Sequence, residues 1–134
     1  MNKLSNPEAF QIEAAEILAA SYKAFPSEIT WNYDPDNQNY PTTEGKHRPT
    51  IQRDTIQWLV TQGYLNCDDP YAGIGNEWEG FVLSEKGLVA LNSVPDAISG
   101  KDPLGKRLIS ATAKNSLDLV KQLIPLIIQQ ASTQ

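Results

Sequence analysis

One histidine and one cysteine bound the side-chain chemistry open to this 134-residue chain. His47 sits between Lys46 and Arg48, and no serine or cysteine is arranged around it as a nucleophile would be. Cys67 has no second thiol to pair with, which excludes an internal disulfide and suits a reducing compartment. A metal ion would have to rely mostly on carboxylates, and their spacing matches no known ligand set. Asp34-Pro35-Asp36-Asn37-Gln38-Asn39 opens like a calcium loop. Its sixth position is Asn39 where glycine is needed, and its twelfth is Gly45 where a bidentate glutamate is needed. Gly73-Ile74-Gly75 lacks the helix and lysine of a phosphate-cradling loop. Glu77 and Glu79 could act as acid and base only inside a cleft, and a hairpin leaves them solvated. The expectation is a binding protein without catalytic, cofactor or metal-ligating residues.

Charge is therefore the chemistry left to read, and its distribution is uneven. The net charge of −5 is the balance of four segments. Residues 1–44 hold two basic and seven acidic side chains, and residues 67–96 hold Lys86 against six acids. Between them, residues 45–66 set Lys46, Arg48 and Arg53 against Asp54, while residues 97–134 hold five basic and two acidic groups. Any polyanion-binding surface would have to be local. With 40% hydrophobic and 20% charged residues the chain has globular composition. No apolar run approaches the roughly 18 residues of a membrane span, and Met1 to Pro7 lack the apolar core of a signal peptide, so the expected location is the cytoplasm.

The elements that must position these charges follow from periodicity and punctuation. Asn6-Pro7-Glu8 reads as cap, first-turn proline and first-turn acid; Phe10, Ala14, Ile17, Leu18 and Tyr22 then recur at helical spacing until Pro26. Ile29 to Tyr33 reads as a short strand, and the stretch from Asp34 to Pro49 is a polar, breaker-rich loop. A second helix spans Thr50 to Gln62, with Gln52, Ile56, Leu59 and Val60 on one face and Ile51, Thr55 and Trp58 on a second. Tyr64 to Cys67 and Trp78 to Leu83 are strands around a turn. Ser84 caps a third helix that runs to about Asn92. Leu104, Leu108 and Ala111 define a fourth helix. Ser116 caps a fifth, striped by Leu117, Val120, Ile124 and Ile127, in which Pro125 predicts a kink or an early end and Gln129 a frayed tail.

This order, with Ile56-Gln57-Trp58-Leu59-Val60-Thr61-Gln62-Gly63-Tyr64-Leu65 and Phe81-Val82-Leu83-Ser84-Glu85-Lys86-Gly87, resembles the bacterial winged helix-turn-helix superfamily over roughly residues 9–92. In those families an apolar pair precedes a glycine by four residues and the first wing strand follows at once; the wing closes through a Leu-Ser/Thr-x-x-Gly step into a helix. The resemblance implies an α+β fold, with a winged-helix-like domain over 1–95 and a helical extension over 96–134 that packs on it or dimerises. The short helix those families place before the recognition helix would fall between Trp31 and Arg48, where Pro35, Pro41 and Pro49 favour loop.

Two functions follow. In the leading one, a non-enzymatic module of inhibitor or immunity type binds a basic protein through its acidic wing and first loop, using Trp31, Tyr33, Asp34, Asp36, Asp68, Asp69, Glu77 and Glu79. In the alternative, a transcriptional regulator contacts DNA through Lys46, Arg48, Arg53 and Gln57. An acidic wing opposes that second use, since wings approach phosphates. The fifth helix, with a second apolar row at Leu119, Leu123 and Leu126, is the expected homodimer interface.

Overall fold

The computed structural model describes residues 5–32, 48–67, 77–95 and 100–132, with backbone alone at 31, 32, 48–50 and 77–79. Among the described residues five helices and three strands follow in the order α1 (Asn6–Ala24), β1 (Ile29–Asn32), α2 (Arg48–Thr61), β2 (Leu65–Cys67), β3 (Glu77–Leu83), α3 (Glu85–Asn92), α4 (Leu104–Ala113) and α5 (Leu117–Ser132). The fold is α+β. No described helix is long and apolar enough to cross a membrane.

Helix α1 is capped by Ser5, one residue before the expected Asn6. The Ser5 hydroxyl accepts from the Glu8 N–H, while the Glu8 carboxylate accepts from the Ser5 N–H at 3.1 Å. Ser5, three residues before Glu8, closes this reciprocal pair and Asn6, two residues before it, does not, so Asn6 and Pro7 fall inside the first turn. The helix buries Ala14, Ile17 and Leu18, as its periodicity predicts, and also Glu13.

The strands form one antiparallel sheet in the order β1-β3-β2. Ile29 pairs with Phe81 and Trp31 with Trp78, so two steps along β1 oppose three along β3. This bulge contains Gly80, whose φ of +71° lies in the left-handed region. Leu65, Phe81 and Leu83 enter the core.

Helix α2 starts at Arg48, ahead of the expected Thr50, because Pro49 then sits in the first turn where no N–H is required. Both of its apolar rows are used: Ile51, Gln52, Thr55, Ile56 and Leu59 are buried, and Trp58 meets Phe10 of α1 edge-on at 5.0 Å. Its end is a Schellman turn. Tyr64 N–H donates to the Leu59 carbonyl and Gly63 N–H to that of Val60, with Gly63 at φ +87°.

Helices α4 and α5 pack on α1 and α3, and their apolar residues join the same cluster as Ile17, Ile56 and Phe81. Gly105 lies against the Tyr22 ring, whose hydroxyl donates to Asn92 Oδ1 at 2.7 Å. Asn115, at φ 52°, turns the chain between the two helices. Of the kink or early end expected at Pro125 the early end does not occur: α5 continues to Ser132, and Ala131 is buried where a frayed tail was expected. Pro125 has no N–H to offer the Lys121 carbonyl, and it lies on the exposed side of the helix, where water can substitute.

Candidate functional site

The sheet carries a groove of about 260 Å³ on its outer side. It is lined by Val60 of α2, by Leu65, Asn66 and Cys67 of β2 and by Val82 of β3, with Glu28 and Gly80 at one rim. The bulge sets this rim. Glu28 Oε2 lies over Gly80, 3.4 Å from where a Cβ would stand, an ordinary contact; glycine is favoured here by its φ of +71°. The groove thus sets a few aliphatic side chains in a mostly polar surface with one carboxylate, and among the described residues no lysine or arginine lines it.

Of the residues expected to bind protein, Trp31 lies in β1 opposite Trp78, and Glu77 of β3 pairs with Asn32. Glu79 lies with Gly80 in the bulged stretch of the same strand. Tyr33, Asp34, Asp36, Asp68 and Asp69 lie outside the described residues, as does Lys46 of the DNA set. Within the described part, β3 brings Glu77 and Glu79 into one strand beside Glu28, which the sequence reading passed over. Its signal was available: Glu28 is the only charged residue between Lys23 and Asp34, immediately before a strand.

The DNA set is placed on α2. Arg48 opens the helix, and Arg53 is exposed with its Nε 3.6 Å from Asp54 Oδ1. Gln57 is half-buried. Gln52 points inward, where its Nε2 donates to Glu13 Oε2 at 3.5 Å and its Oε1 has no partner.

The corner joining α2, β2 and α3 fixes both surfaces relative to each other. Ser84 N–H donates to the Tyr64 carbonyl, the Ser84 hydroxyl donates to the Gly63 carbonyl, and Gly87 N–H donates back to Ser84 Oγ at 3.0 Å. Lys86 Nζ caps α2 by donating to the Gln62 carbonyl at 2.9 Å and lies 5.3 Å from the Tyr64 ring centre. Tyr64 stacks on Trp58 at 5.8 Å, and burial pushes its phenol up from the usual tyrosine value.

Among the described residues no group of three His, Cys, Asp or Glu side chains could hold a metal. The expected dimer helix α5 has Val120, Leu123, Ile124 and Ile127 in the core and leaves Leu119 38% exposed. Comparison with protein-family models, curated proteins and solved structures finds no match.

Proposed function

We propose that the chain is a winged-helix module that binds a basic protein across its acidic sheet. The element order from α1 to α3, the β1-β3-β2 sheet, the glycine turn after α2 and the serine-capped entry to α3 support the winged-helix reading. The observation that carries the partner is the charge of the sheet. Glu28, Glu77 and Glu79 lie in or immediately before its strands, which contain no lysine or arginine. The groove beside them can take an aliphatic stem against Val60 and Val82 and a cationic head at Glu28. Such a module would act as an inhibitor or immunity-type protein, covering a basic surface that otherwise meets nucleic acid or substrate.

The DNA-regulator alternative has weaker support, because Asp54 accompanies Arg53 on the exposed side of α2. The two readings separate by titration with a labelled oligo-arginine peptide and, in parallel, a mixed-sequence DNA duplex, from about 50 to about 200 mM salt. Peptide binding that falls several-fold in Glu77→Lys/Glu79→Lys, and again in Glu28→Gln, supports the acidic-sheet reading. Each exposed charge is worth roughly 1 kcal/mol or less, so the loss accumulates over sites. Absence of peptide binding, with duplex binding abolished by Arg48→Ala/Arg53→Ala, would replace it by the regulator.

A further inference from the structure

Helix α4 presents the opposite charge. From Leu104 to Ala113 it contains no acidic residue, and Lys106, Arg107 and the C-cap Lys114 fall within about 100° of arc at the helical step of about 100° per residue. Lys106 and Lys114 are exposed, and so are the intervening Ser110 and Ala113. The turn before the helix adds exposed Lys101 and is held in place by Arg107. The Arg107 Nε donates to the Asp102 carbonyl at 2.9 Å, and its guanidinium lies over Gly100, where a Cβ would come within 2.9 Å. Among the described residues of the turn and α4, Asp102 is the one acid; it stands 3.8 Å from Lys106 with both side chains more than 60% exposed, an ion pair of little weight.

We infer that this outer face of α4 docks the phosphate backbone of a nucleic acid, without reading its sequence. The face has no aromatic or large apolar side chain between Lys106 and Lys114, so it lacks the anchor of a protein interface and the apolar strip of a membrane-surface helix. What it offers is cations at intervals. Lys106 and Lys114 are separated by about 12 Å along the axis, the rise of three to four nucleotides of one strand. Phosphate contact needs only such spacing, and base readout would need side chains in a groove. This surface is independent of the acidic sheet: the main packing partners of α4 are α1, α3 and α5.

The test is fluorescence anisotropy of a labelled mixed-sequence duplex with the full chain and with Lys106→Ala/Lys114→Ala. Both substitutions are at exposed positions where alanine favours helix, so the fold is kept, and circular dichroism checks it. The expected result is weak wild-type binding at about 50 mM salt and a roughly tenfold loss in the variant. The slope of log K against log salt should also become shallower by about 1.8, two phosphate contacts' worth. Arg53→Ala/Gln57→Ala should leave both quantities unchanged. The inference is overturned if the wild-type chain does not bind the duplex, or if the α4 variant binds like wild type. It is equally overturned if oligo-glutamate of equal charge competes as well as the duplex, which would make the occupant an acidic protein.

Discussion

A methyl group at position 87 would lie 2.5 Å from the Tyr64 carbonyl oxygen and 2.8 Å from Leu83 Cδ1, in a corner whose backbone is already hydrogen-bonded on both sides. Gly87→Ala should therefore cost about 1–3 kcal/mol, read as a lower midpoint in urea. Ser5→Ala removes the hydroxyl half of the capping box and should cost about 1 kcal/mol by the same measurement. Its partner Glu8 makes a prediction in pH. The Ser5 backbone N–H first, then Lys121 and the Ser5 hydroxyl, hold the Glu8 carboxyl below its ordinary value. A carboxylate lowered on folding stabilises the protein above its unfolded pKa, and that contribution is lost as pH falls through the folded value. Part of the decline in Tm between about pH 5 and about pH 3 should thus disappear in Glu8→Gln, which keeps the cap and cannot titrate. Much of this scale was legible beforehand. The glycine at 87, the left-handed Gly63 and the Ser84 cap were readable because each breaks a local pattern. Glu13 was not: it stands about 40° outside the arc of Phe10, Ala14 and Ile17, and one of its partners, Gln52, is 39 residues away.

At the scale of elements, α5 runs its full length with a proline inside it. Sequence periodicity favoured the helix and the proline opposed it; solvent exposure of Pro125 decided the outcome. Restoring the missing hydrogen bond by Pro125→Ala should raise stability by about 1–3 kcal/mol, measured in the same denaturant titration. The strands were readable as residue types, whereas the bulge at Gly80 was not. A bulge is a relation between partners, and it appears only when Ile29 and Phe81 are set opposite each other. The groove rim at Glu28 was hidden for the same reason. Likewise, the second apolar row of α2 was legible, but not what covers it. Helix α1 supplies the cover, with Phe10 against Trp58.

For the molecule as a whole, charge segregation was visible in the composition by segment, but its assignment to a sheet on one hand and α4 on the other needed the fold. The core is the reverse case: the large residues of the helix stripes were identified, whereas buried alanines such as Ala15 and Ala19, and which helices share the core, were not. Because α5 contributes Val120, Leu123, Ile124 and Ile127 to the cluster built on α1, removal of everything after Asn115 should abolish cooperative thermal unfolding. A substitution at exposed Leu119, such as Leu119→Lys, should leave Tm nearly unchanged, and so is the variant to use in light scattering for self-association.

The pairing of α1 with α5 has a consequence for the order of events in synthesis. The Glu8–Lys121 contact joins residues 113 apart, and Ile17 and Leu18 share their cluster with residues beyond position 119. At about 5–20 residues per second, a ribosome takes on the order of 5–20 s to proceed from the first helix to the fifth. Throughout that interval the apolar stripe of α1 lacks its final cover, so the nascent chain is exposed to chaperones and proteases for longer than a protein whose first helix closes on its nearest neighbour.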